Sequence, residues 1–139
     1  MKIKLKDAKD APLLVDIKIK GQDAIAIVDT GSQVSIIDTT FAYRNGIQLS
    51  EESTIGITGA AASHDVSSRE FEDTITMMSE DGEMGFVVKG ITVDMSRMQK
   101  TFTRLVVGRV IMILGTDFMG KYRATIDVSQ KYMTLEAAN

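Results

Sequence analysis

The sequence predicts a mainly β, single-domain protein, and three features of its 139 residues carry that expectation. Apolar residues alternate with charged ones at Ile3 and Leu5, and again at Val15, Ile17 and Ile19, the period of half-buried strands. An unbroken apolar run, Ala24-Ile25-Ala26-Ile27-Val28, stops abruptly at Asp29-Thr30-Gly31-Ser32. A second, Val110-Ile111-Met112-Ile113-Leu114, stops at Gly115. Apolar runs of this length ending at a glycine read as buried strands.

The remaining elements follow in order. Pro12, the only proline, breaks the chain between the first two strands, and Gly21-Gln22-Asp23 turns the second into the strand that ends at Asp29. Beyond the motif, Val34 and Ile36 alternate with Gln33 and Ser35 as a further strand, and Asp38-Thr39-Thr40 can cap a short helical turn carrying Phe41. Asn45-Gly46 marks a turn. Strands are expected at 71–77, 85–88, 91–95 and 102–107, with Glu80-Asp81-Gly82 turning the first into the second. Met77, Met78, Met84, Met95 and Met98 read as core filling or groove lining. Thr116 or Asp117 can cap a short helix through Tyr122, and 124–128 with 132–135 form a hairpin about Ser129-Gln130-Lys131.

Composition narrows the function. A chain of 139 residues with 44% hydrophobic content is one domain, residues 1–139, large enough to bury a core and too short for two. Net charge is −3 with acids and bases intermixed, so no basic face is offered to nucleic acid or an anionic membrane. The absence of cysteine excludes disulfides and thiolate metal sites, and His64, the only histidine, makes a poor metal site alone. No metal or other cofactor is implied. Met1-Lys2-Ile3-Lys4-Leu5-Lys6 lacks the apolar core of a signal peptide and no later run approaches a membrane span, so the expected location is the cytoplasm.

Asp29 is the residue that calls for a chemical explanation. A carboxylate where a buried strand meets a loop is costly unless hydrogen bonds hold it. Gly31 allows a sharp turn and close approach, while Thr30 and Ser32 each bring a hydroxyl. Together the four residues read as a cradle for an acid.

An apolar strand running into Asp29-Thr30-Gly31, followed far downstream by Ile113-Leu114-Gly115 opening a short helix, resembles the retropepsin-like aspartic proteases. The resemblance covers about residues 13–135. It implies a closed β-barrel-like acid protease lobe with one short C-terminal helix, a flap hairpin at about 55–66 and a C-terminal hairpin at about 124–136. Asp29 is then the catalytic acid, with Thr30, Gly31 and Ser32 supporting its loop and Ile113, Leu114 and Gly115 the structural motif. Thr58, Gly59 and Ala60 become the flap tip over bound peptide, and His64 a solvated flap residue.

The chemistry of that class needs two carboxylates sharing one proton, because two like charges about 3 Å apart do not both ionise. The ionised one takes a proton from the attacking water and the other donates to the carbonyl oxygen. This chain supplies one such acid, since Asp81 follows no apolar strand and Asp117 stands where the family uses a structural residue. The resemblance therefore implies a homodimer with an Asp29 pair on its two-fold axis, acting on peptide or protein substrates. By the same resemblance Thr30 reaches across the axis, and Ser32 hydrogen-bonds the outer oxygen of Asp29. The alternative is an inactive module of the same fold that dimerises or binds peptides. The Asp29-Thr30-Gly31-Ser32 stretch also resembles the phosphate turn of actin-like ATPases and sugar kinases, a fold that needs a far longer chain and a second phosphate loop.

Overall fold

The computed structural model describes residues 1–8, 12–51, 53–56 and 65–137. β1 (Lys2–Lys4) precedes a hairpin of β2 (Leu14–Ile19) and β3 (Gln22–Val28). Ile19 pairs with Gln22, so Lys20 and Gly21 form a two-residue turn with positive φ at both, 49° and 75°. That turn matches the twist of a tight hairpin, and glycine adopts it without strain.

β4 (Ser35–Asp38) runs straight into α1 (Thr39–Arg44), and Asp38 caps the helix as expected, accepting from Phe41 N at 3.1 Å. The carboxylate is only 2% exposed. It also accepts from Met95 N at 3.0 Å and lies 3.8 Å from the Arg109 guanidinium, so the buried charge is partnered. β5 (Ser53–Gly56) and β6 (Asp65–Ser68) then pair antiparallel, with Gly56 opposite Asp65. The residues joining them, with the expected tip Thr58, Gly59 and Ala60 and also His64, lie outside the described residues.

β7 (Glu70–Ser79) and β8 (Gly82–Val93) form one long hairpin about Glu80 and Asp81. The separate strands expected at 85–88 and 91–95 merge into β8, which ends at Val93, and Met95 already caps the helix that follows. Gly90 does not interrupt β8: glycine is needed there because a Cβ would lie 2.0 Å from Ser35 O on the neighbouring β4. The strand expected at 102–107 is also corrected, because α2 (Ser96–Phe102) occupies its start. Phe102 is buried at the helix end, and the apolar residues after it enter a loop where Val107 is 97% exposed. β9 (Val110–Leu114), α3 (Thr116–Lys121), β10 (Thr125–Asp127) and β11 (Tyr132–Thr134) complete the chain. Gly115, not Thr116 or Asp117, occupies the cap position of α3. The described residues thus hold three short helices: α1 is the expected turn carrying Phe41, α3 the expected C-terminal helix, and α2 an addition.

The sheet order is β10-β11-β1-β7-β2-β3-β9-β4-β8, and β8 pairs back onto β7. The strands from β7 through β8 therefore close a six-stranded barrel, with β1, β11 and β10 extending the sheet outside it. β3 and β9 run parallel side by side, and both their faces are covered. Ala24, Ala26 and Val28 pack in one buried cluster and Ile25 and Ile27 in the other, which explains why neither strand alternates in sequence.

Candidate active site

β9 lies between β3 and β4, with Val28 opposite Leu114 and Ile36 opposite Ile113. The chain leaving β3 must therefore cross the end of β9 before it enters β4. Residues 29–34 are that crossing. Asp29 N donates to Leu114 O at 3.0 Å, and Thr116 N donates to Ser32 O at 2.8 Å, so both ends of the loop are tied to β9. Ile113, Leu114 and Gly115 are buried beneath it. A Cβ on Gly115 would lie 2.6 Å from Ser32 O and 2.8 Å from Val34 O, so the crossing requires glycine at that position.

Within the loop the Asp29 carboxylate is partly exposed, and its Oδ1 accepts from Gly31 N at 2.8 Å. Such a turn fixes the carboxyl by the backbone two residues on. A Cβ on Gly31 would approach the same oxygen to 3.1 Å. Thr30 and Gly31 face solvent. Ser32 is 3% exposed, and its hydroxyl donates to Val34 O at 2.7 Å. That differs from the bond to Asp29 expected of it: the buried hydroxyl satisfies a carbonyl of its own loop.

A second set of bonds, not foreseen in the sequence, fastens the loop's far end. Ser35 donates to Asp117 twice, from N to Oδ2 at 3.0 Å and from Oγ to Oδ1 at 2.7 Å. Ser35 Oγ in turn accepts from Gly115 N at 3.0 Å, and Asp117 Oδ1 accepts from Phe118 N at 2.7 Å. Behind α3, Phe86, Phe118 and Tyr122 pack edge to face or tilted, and Val87 N donates to the Tyr122 hydroxyl at 2.6 Å. The helix is thereby seated on β8. An open pocket of about 550 Å³ adjoins the loop, walled by Val34 and Asp117 on one side and by Leu49, Ser50 and Phe71, at the root of the β5–β6 hairpin, on the other.

Among the described residues no cluster of three or more histidine or acidic side chains could hold a metal ion. No helix among them is long and apolar enough to cross a membrane.

A six-stranded barrel whose buried central strand delivers an Asp-Thr-Gly loop, braced on a second apolar strand ending in glycine, has the fold of a retropepsin-like aspartic protease lobe. The chain belongs to the aspartyl protease family, whose sequence profile matches residues 15–118. It is similar in fold to the retroviral protease-like domain of Ddi1 from Leishmania major, with TM-score 0.57 and 17% identity over 94% of this chain and 93% of that one. A retropepsin-like aspartic protease from Rickettsia conorii is similar too, with TM-score 0.53 and 15% identity over 100% of this chain and 94% of that one. No curated protein matches the chain in sequence.

Proposed function

We propose that the chain is an aspartic endopeptidase, active as a homodimer in which the two Asp29 carboxyls meet on the symmetry axis. The observation that supports this reading most is the placement of Asp29: a partly exposed carboxylate on a loop tied to β9 at both ends, oriented by Gly31 N. A rigid, accessible acid suits a site completed by a second copy. The ionised carboxylate takes a proton from water as the water oxygen bonds to the peptide carbonyl carbon, and the protonated one donates to the carbonyl oxygen. Collapse of the tetrahedral species breaks the C–N bond, the amine leaves with a proton, and the dyad regains its single shared proton.

In this reading Thr30 holds the partner's loop across the axis. The β5–β6 hairpin serves as the flap, with Thr58, Gly59 and Ala60 at its tip, and the substrate lies extended beneath it. The test is mass-spectrometric analysis of a diverse peptide mixture incubated with wild type and with Asp29→Asn. Cuts made by wild type and absent with the variant support the endopeptidase. A folded dimer that binds peptides and cuts none would instead be a dimerising or peptide-binding module.

A further inference from the structure

We infer that the pocket beside the site loop selects a basic side chain of the peptide, with Glu70 as its specificity-determining residue; this rests on the endopeptidase reading. Its position makes it part of the groove. Val34 ends the loop that carries Asp29, and Asp117 anchors that loop through Ser35. The opposite wall is the root of the β5–β6 hairpin, where Glu70 N donates to Ser50 Oγ at 2.8 Å and Leu49 bridges to Phe71. A peptide lying between loop and hairpin must pass over this opening.

The chemistry of the lining sets the preference. Phe71 and Ile91 are buried and supply apolar surface against which an alkyl stem can lie. Glu70, Glu72 and Asp117 line the pocket with Lys89, three carboxylates against one ammonium. Lys89 is already paired, its Nζ 3.4 Å from Glu72. Asp117 is turned to Ser35 and the α3 backbone, whereas Glu70 has no ion pair among the described residues. An apolar stem with a cationic end, as in lysine or arginine, matches that arrangement. A carboxylate in the same place meets like charge, and discrimination of this kind needs the repulsive element as much as the attractive one.

The experiment uses a peptide cut by wild type, varied to lysine, leucine or glutamate at each position in turn, with kcat/KM measured for wild type, Glu70→Gln and Glu70→Lys. Binding of the same peptides to Asp29→Asn is followed by fluorescence anisotropy. At one position wild type should favour lysine over glutamate by roughly two- to fivefold, the scale of one solvent-facing charge pair. Glu70→Gln should reduce that ratio and Glu70→Lys reverse it, and Asp29→Asn should show the same lysine preference in binding. Hydrolysis blind to charge at every position, or a lysine preference that survives Glu70→Lys, overturns the inference while leaving the endopeptidase standing. If wild type cuts no peptide, the same series is made in a peptide that it binds, and a lysine preference in binding that Glu70→Lys abolishes overturns the catalytic reading and leaves the pocket assignment in place.

Discussion

Ser35 and Asp117 are 82 positions apart in the chain, and their side chains meet at 2.7 Å, with Ser35 Oγ donating to Asp117 Oδ1. Because Ser35 is 0% exposed and its hydroxyl also accepts from Gly115 N, the pair joins the start of β4, the end of β9 and the start of α3 at one point. The loop bearing Asp29 is held between these anchors.

Removing either partner should therefore destabilise the fold. Ser35→Ala leaves Gly115 N buried without its acceptor and takes one donor from Asp117, a change expected to cost about 1–3 kcal/mol. Asp117→Ala frees two donors of Ser35 and should cost a similar amount. Urea unfolding followed by circular dichroism measures both, and the double variant should cost less than the sum because the two share one network. Full additivity would mean that the contact carries no coupling.

The glycines offer a contrast on neighbouring elements. Gly115→Ala drives a Cβ to 2.6 Å from Ser32 O, a backbone atom, and should lose roughly 1–3 kcal/mol and displace the Asp29 loop. Gly120, within α3, has nothing within 4 Å of its ideal Cβ. Gly120→Ala should be neutral or stabilising by about 0.4–1 kcal/mol. Thermal melts of the two variants, one lowered and one unchanged or raised, check the packing of each directly.

These anchors also mark where the sequence stopped being legible. β3 and β9 announce themselves because strands covered on both faces are continuously apolar, and Asp38 reads as a helix cap because capping is a local bond. The Ser35–Asp117 pair is long-range, and no local pattern encodes it. Asp117 therefore reads as a cap for its own helix, a place taken by Gly115. α2 is missed for a related reason: its cap residue Met95 makes no side-chain bond, and Leu105, Val106 and Val107 beyond it mimic a strand. Gly90 looks like a break in sequence, and the closeness of Ser35 O that demands it belongs to another strand. Ser32 was legible as a loop support but not in its direction, since a hydroxyl serves Val34 O as readily as a carboxylate.

Acid should weaken the turn that leads into α2. Asp94 Oδ1 accepts from Ser96 N at 2.9 Å, and this bond, with a smaller contribution from the Ser96 side chain, holds the Asp94 carboxyl below its ordinary value of 3.8. The folded state thus binds the proton less readily than the unfolded one. The ionised group stabilises the fold above the unfolded value, and that stabilisation is lost as pH falls through the folded value. Because Asp94 is exposed, water screens the effect to well under about 1 kcal/mol. The stability gap between wild type and Asp94→Ala should accordingly narrow from about pH 6 to about pH 3. A gap that stays constant would show that the charge has no part in the bond's contribution.

Thr30 separates monomer stability from assembly. In the single chain its side chain is exposed, so Thr30→Ala should change unfolding of the isolated lobe by no more than about 0.5 kcal/mol. If Thr30 holds the partner's loop across the axis, the substitution removes one contact from each side of a symmetric interface, and the loss counts twice. At about 1 kcal/mol for each hydrogen bond, the dimer should dissociate roughly thirtyfold more readily. Sedimentation equilibrium of wild type and variant reads that shift, and activity at a fixed low concentration should fall with the dimer population while returning at high concentration. Activity lost at every concentration from an intact dimer would place Thr30 in the chemistry and not in the assembly.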